Sequence, residues 1–261
     1  MNYIFRAVRL IPQKIYKLPR PWAKVYKHLI YATPTFSNPT TLTMSLADRE
    51  GLVRLAREFD ALVVTDDVYD FLQWSPDPEQ PLAQPDKAQI PRVVDVDRYL
   101  DGGPKDEWGN VVSSSRSGGA PSQFSAAIIA QLFPTGFIQT YVDQVLRPRY
   151  AERYYRLISA VREHLLPLGV TLPSTSLEAV GGYFVWIQLP PPLQADDLAT
   201  VALREYKVNV IAGNRFRVQG DPDTRRNSFN RSIRLCFAWE HEEKLAEGVR
   251  RLACAIRSAL K

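Results

Sequence analysis

The chain has 261 residues, 45% of them hydrophobic and 11% aromatic, and its 33 Lys and Arg against 28 Asp and Glu give a formal net charge of +5. That apolar fraction supports a substantial core, in one large domain or two small ones, and excludes a mostly disordered polymer. No apolar run approaches the roughly 18 residues of a membrane-spanning helix, no signal-peptide pattern is present, and two cysteines with three histidines supply neither a disulfide framework nor a Cys/His zinc site.

A reducing, cytoplasmic setting with no membrane partner and no metal is therefore the expectation. The first 47 residues carry seven basic side chains (Arg6, Arg9, Lys14, Lys17, Arg20, Lys24, Lys27) and no acid before Asp48. A mitochondrial location is the alternative this suggests, but Pro12, Pro19 and Pro21 interrupt any amphipathic targeting helix. Residues 1–24 are read as a solvated basic lead-in. Charge alone does not make a nucleic-acid site, and no recognition motif accompanies it.

In chain order, HLIYAT (28–33) reads as a buried strand and the Pro/Ser/Asn/Thr-rich PTFSNPTTLTM (34–44) as a loop. Ser45 with Asp48 three residues on resembles a capping box, and Leu46, Leu52, Leu55, Ala56 and Phe59 fall at helical spacing, predicting a helix over about 45–59. The β-branched run 61–65 predicts a second strand, parallel to the first and buried on both faces. It ends in Asp66, Asp67, Tyr69 and Asp70, at the carboxyl end where open α/β sheets place ligands.

Residues 75–108 are Pro-, Asp- and Gly-rich and read as irregular. A strand is expected at 109–113, helices at 124–133 and about 137–166 with a break near Pro148, strands at 183–189, 208–211 and 231–237, and helices at about 196–206 and 240–260. The fold class is thus α/β. Residues 25–145 form a large-domain remnant with a mostly parallel, incomplete sheet; a long helix and a smaller α+β domain occupy 146–261.

Asn38-Pro39 after the first strand, Asp66 with Tyr69 after the second, and Arg234 inside the last strand are the chemistry-bearing candidates. Singly, each has an ordinary reading as a turn residue, a solvated strand end or a surface position. Arg234 stands between Ile233 and Leu235, however, and an unpaired guanidinium in an apolar setting is costly, so it is expected to face an anion.

In this order the segments PTFSNPTTLTMS, AREFDALVVTDDVYDFLQW, GGYFVWIQL and NRSIRLCFA resemble the class I/II pyridoxal-phosphate aminotransferases of fold type I, and within them the 2-aminoadipate or kynurenine aminotransferase-like branch. The resemblance runs from about Lys24 to the C-terminus. It implies a homodimer that transfers an amino group between an α-amino acid and a 2-oxo acid, in amino-acid or secondary metabolism. Asp66 would lie under the pyridine nitrogen and keep it protonated, so that the ring acts as an electron sink. Tyr69 and Asn38 would share the ring oxygen O3'. Arg234 would clamp the substrate α-carboxylate with its planar fork. Gly181-Gly182-Tyr183 resembles the small-domain edge of the active site, with Tyr183 and Phe36 shaping specificity.

The sequence departs from the family in two places. The N-terminal arm and the loop whose amides hold the cofactor phosphate have no counterpart, so the chain is expected to begin after them. GNVVS (109–113) runs straight into SSRSGGAPSQF, where the family has its Ser-x-Ser-Lys segment with the Schiff-base lysine. Lys87 and Lys105 remain nearby, but Lys105 sits in an acid-flanked turn, and a catalytic lysine needs burial or a neighbouring cation; no catalytic lysine is matched. Ser113–Ser115 and Arg116 could offer some phosphate contact, leaving cofactor binding impaired. The alternative is an inactive truncated product or pseudoenzyme acting, if at all, through a partner subunit. A rival class reads Asp66-Asp67-Val68-Tyr69-Asp70 as the DDxxD pattern of prenyl and terpene synthases, but that motif belongs on a helix and has no second metal motif here.

Overall fold

The computed structural model describes residues 6–9, 26–86, 88–103, 123–174, 177–217 and 228–261, with 6–9, 123–127 and 228 as backbone only. Lys87, Lys105, the strand expected at 109–113, Ser113–Ser115 and Arg116 lie outside the described residues. The chain forms two compact units, one from Met1–Thr35, Thr43–Val68 and Ala88–Ile128, the other from Phe36–Leu42, Tyr69–Lys87 and Ile129–Lys261.

The first unit is a small α/β layer. Its sheet has the order β1 (Arg6–Arg9), β2 (His28–Ala32), β3 (Ala61–Thr65), with β1 antiparallel to β2 and β2 parallel to β3. A strand thus forms inside the basic lead-in, where a four-residue stretch is too short for period-2 alternation to be read.

Helix α1 (Leu46–Glu58) makes the β2–β3 crossover, as parallel strands require. Ser45 caps it: the hydroxyl oxygen accepts from the Asp48 amide at 3.2 Å and donates to the Asp48 carboxylate at 2.6 Å. Its buried stripe is Arg49, Leu52, Val53 and Ala56, packed with Ile30, Ala32 and Met44. Leu46, Leu55 and Phe59, expected on that stripe, are instead exposed, because they lie one side-chain position off the face turned to the sheet.

β3 also departs from the expectation of burial on both faces. Only Ala61 is buried, Leu62 is 39% exposed and Val63–Thr65 are of intermediate burial. The segment read as irregular contains a two-turn helix, α2 (Val93–Tyr99), whose Val93 and Val96 complete this core. Arg57 ties α1 to it by bonding Asp97 and the Leu100 carbonyl.

Arg49 is the unusual member of the core, fully buried yet charged. Its guanidinium donates to the carbonyls of Met44, Pro34 and Pro91 and to Thr35 Oγ1, at 2.9–3.2 Å. A planar five-donor group can satisfy several loop carbonyls at once.

Helix α3 (Gln123–Leu132) spans the boundary between the two units. In the second unit, α4 (Phe137–Tyr141) runs through one π turn (Val142–Leu146) into α5 (Arg147–His164). Pro148, which has no amide to donate, sits in the first turn of α5, and the irregularity lies in the π turn directly before it.

β4 (Gln73–Trp74) and β5 (Val180–Gly181) pair antiparallel. The main sheet has the order β6 (Phe184–Gln188), β8 (Ser232–Cys236), β7 (Ile211–Ala212), all antiparallel. Val185, Ile187, Ile233 and Leu235 point to one face and pack with α5, α6 (Ala195–Tyr206) and α7 (Glu242–Ala259). The other face carries Phe184, Trp186 and Arg234, as period 2 demands.

Candidate active site

Loop 34–44 leaves β2 as a compact turn. The Ser37 amide donates to the Leu42 carbonyl at 2.9 Å and the Thr41 amide to the Ser37 carbonyl at 2.6 Å. Phe36 and Thr41 both take positive φ, 46° and 62°, so the turn is held in a conformation that side chains ordinarily avoid. It projects Asn38, whose amide oxygen accepts from Arg234 Nη1 at 2.6 Å.

Arg234 is half-buried rather than sunk in the core, because Ile233 and Leu235 face the opposite side of β8. Its guanidinium carbon lies 3.9 Å from the Phe184 ring centroid and 4.8 Å from that of Phe216, a stacked mount that fixes the plane of the fork. Trp186, opposite Arg234 across the ladder, backs Phe216 at 6.1 Å and Phe229 at 5.8 Å. Nε of Arg234 is buried with no hydrogen-bond partner. Burial lowers the guanidinium pKa from its ordinary value, against the opposing influence of Cys236 and Tyr69. At neutral pH it remains a cation with donors to offer.

Tyr69 is buried in the turn after β3 and meets Tyr183 edge-on at 5.2 Å; Tyr183 in turn lies 5.0 Å from Tyr150 of α5. Burial first, then the Tyr150 hydroxyl through charge and a hydrogen bond, pushes the Tyr183 phenol up to about 12. It is a neutral donor at any physiological pH.

The structure therefore brings Asn38, Tyr69, Tyr183 and Arg234 together in the second unit. Asp66 belongs to the first. Its amide continues the ladder to the Ala32 carbonyl at 2.9 Å, and its Oδ2 accepts from the Tyr31 hydroxyl at 2.8 Å. Asp66–Asp70 lie in coil and turn rather than on a helix, Asp67 accepts from Thr65 Oγ1, and no cluster of three His, Cys, Asp or Glu suited to a metal occurs among the described residues.

Tyr31, Phe184, Phe216 and Tyr150 were not legible as site residues. Phe184 had a usable signal, since it shares the period-2 face of Arg234's strand partner Trp186. Tyr150 had none beyond helical spacing.

Residues 109–252 match the family of aminotransferases class I and II, which is more than half of the chain. This chain belongs to that family. Relatives include an uncharacterized protein of Saccharomyces cerevisiae, 29% identical over 92% of this chain and 58% of its own length, and the 2-aminoadipate transaminase of Thermus thermophilus, 27% identical over 95% of this chain and 60% of its own. Among solved structures, the kynurenine aminotransferase of Pyrococcus horikoshii, in complex with PMP, superposes with a TM-score of 0.61 at 25% identity, covering 89% of this chain and 57% of that one. The chain spans about 60% of the length of the curated relatives it matches, and its sheets are a partial version of the fold-type I architecture.

Within the second unit, the phenol of Tyr69, the amide of Asn38 and the guanidinium of Arg234 are groups of the kind that can hold the polar ring substituents of pyridoxal phosphate and a carboxylate. The lysines among the described residues do not fit a covalent anchor. Lys207 Nζ donates to the Arg204 carbonyl, Lys244 pairs with Glu240, and Lys27 and Lys261 are exposed.

Proposed function

We propose that the chain serves amino-group transfer between an α-amino acid and a 2-oxo acid, with pyridoxal 5'-phosphate as cofactor. The observation that carries this reading is Arg234, a stacked guanidinium bonded to Asn38 and left with a buried, unpartnered Nε. A planar cation so mounted suits a bidentate carboxylate, the one group every α-amino acid and 2-oxo acid shares. When bound, the cofactor supplies a protonated pyridine ring that accepts electrons from the substrate α-carbon.

The protein's own groups have separate tasks in this reading. Asp66, whose carboxylate accepts from the Tyr31 hydroxyl, would hold a proton on the ring nitrogen. Tyr69 and Asn38 would donate to the ring oxygen O3'. Tyr183, neutral and walled by aromatic rings, faces the substrate side chain and favours a long or aromatic one. Assembly as a homodimer, in the cytoplasm or in mitochondria, belongs to the same proposal.

A second reading is favoured by the positions of Lys27, Lys207, Lys244 and Lys261: the chain binds the cofactor without turning over, acting if at all with a partner subunit. Incubation with pyridoxal 5'-phosphate, a panel of amino acids and 2-oxo acids, and mass-spectrometric detection of the new amino acid separates the two. Transfer that is lost in Arg234→Ala and Asp66→Ala supports the first. Cofactor binding by equilibrium dialysis without transfer, and no pyridoxyl-lysine after borohydride reduction and peptide mapping, supports the second. Absence of binding as well as transfer overturns both.

A further inference from the structure

We infer that Phe36 is a positioning residue, which holds the Asn38 amide on Arg234 by locking the loop into a seat made of two glycines. This goes beyond the proposed function but rests on it for its catalytic meaning. Phe36 is 5% exposed, lies two residues before Asn38 and carries a φ of 46°. A bulky residue persists in that left-handed region only where its surroundings over-determine it. Here they do.

Its ring occupies the space that a side chain would take on the β4–β5 pair. A Cβ built on Gly181 would fall 2.5 Å from Phe36 Cε2 and 2.2 Å from the Leu72 carbonyl oxygen, and one on Gly182 would fall 3.2 Å from Phe36 Cβ. Gly182 itself has a φ of +76° and donates its amide to the Leu72 carbonyl at 3.0 Å. The two glycines are therefore what admits the ring, and the ladder Gln73↔Gly181 fixes where they stand.

The same ring sits in a satellite cluster with Tyr69 and Ala179, against which Tyr183 and Phe184 pack. Phe184 is the ring under the Arg234 guanidinium. One side chain thus touches the cluster that mounts the donor, while its own backbone launches the turn that presents the acceptor. Thr41, at a φ of 62°, closes that turn on the Ser37 carbonyl. Without the ring in its seat, the turn loses the contact that offsets its backbone strain, and Asn38 becomes free to leave Arg234.

A double-mutant cycle on the full chain tests this without any ligand. Asn38→Ala, Arg234→Ala and the pair are compared by urea unfolding, in the natural background and in Phe36→Leu. A charge-assisted bond couples the two residues by roughly tenfold in the unfolding equilibrium constant, and in Phe36→Leu the coupling is expected to fall below about twofold. Phe36→Ala should behave alike; if it does not fold, the leucine variant decides. Leu252→Ala, in the α7 core, is the control, expected to lower stability while leaving the coupling intact. Coupling that survives in Phe36→Leu, that is absent in the natural chain, or that disappears equally in Leu252→Ala overturns the inference. Because no cofactor enters the cycle, failure of amino transfer leaves its result untouched, and the reverse holds too.

Discussion

The rings of Tyr150 and Tyr183 lie 5.0 Å apart at a 44° tilt, and burial, followed by the influence of the Tyr150 hydroxyl, pushes the Tyr183 phenol up to about 12. Tyr183 meets Tyr69 at 5.2 Å on its other side. The pair joins α5 to the strand that carries the aromatic wall of the candidate site, so the neutral form of one phenol is part of how the unit is held together.

This makes a pH prediction with a definite sign. The folded pKa of Tyr183 stands above its ordinary value of 10.0, so the folded state prefers the protonated phenol. Its stabilisation is complete below pH 10 and is lost as pH rises toward 12. Tyr154, also raised by burial, acts in the same direction, so the difference between the natural chain and Tyr183→Phe isolates the effect. Urea unfolding should show a shallower loss of stability above pH 10 in Tyr183→Phe; parallel curves would refute the assignment.

Arg49 should be among the least replaceable residues of the first unit. Arg49→Met keeps much of the volume but strands the acceptors that the guanidinium satisfies at Met44, Pro34, Pro91 and Thr35. Unsatisfied buried groups cost about 1–3 kcal/mol each, and partial access to water reduces the sum, so a loss of about 3 kcal/mol or more is expected. Arg49→Lys should recover little, since one ammonium cannot span the fork. Chemical denaturation of both variants measures this; a loss under about 1 kcal/mol contradicts it.

Two glycines give opposite outcomes on the same substitution. Gly181→Ala places a methyl 2.2 Å from a backbone oxygen, which demands movement of β4 against β5 and should cost about 3 kcal/mol or abolish folding. Gly248→Ala, inside α7, meets nothing within 4 Å, and should stabilise by about 0.5–1 kcal/mol through helix propensity. Thermal melts of the two variants compare them directly.

Self-association should follow from the first unit's sheet. Leu62 of β3 is 39% exposed, and among the described residues β3 pairs with β2. An exposed apolar residue on a strand offers other chains a place to associate unless it is charged or covered. Leu62→Lys is expected to lower light scattering at micromolar concentration while shifting stability by no more than about 0.5 kcal/mol. Unchanged scattering would place the association elsewhere.

Much of the secondary structure was legible because it rests on local quantities. The apolar runs at β2, β3, β6 and β8 and the Ser45–Asp48 cap announce themselves within a few residues. Helix α2 did not, since its seven residues follow a stretch rich in proline and its apolar stripe is two valines. β4 and β5 are two residues each and become strands only by pairing across the chain, Gln73 with Gly181 and Trp74 with Val180. Likewise the spacing of Leu46, Leu55 and Phe59 is helical, yet which stripe of α1 is buried depends on where the sheet lies.

The same division runs through the candidate site. By itself the sequence determined the family and the residue types at Asn38, Asp66, Tyr69 and Arg234, because motif order is a property of the chain. Only the tertiary structure decided that Arg234 turns away from Ile233 and Leu235, stacks on Phe184 and Phe216, and bonds Asn38 from 196 residues away. It also decided that Phe36 fills the room left by Gly181 and Gly182. A side chain's type sets which interactions it can make; which of them it does make is set by neighbours that sequence separation hides, through the packing that brings the 36–42 loop, the β4–β5 pair and β8 into contact.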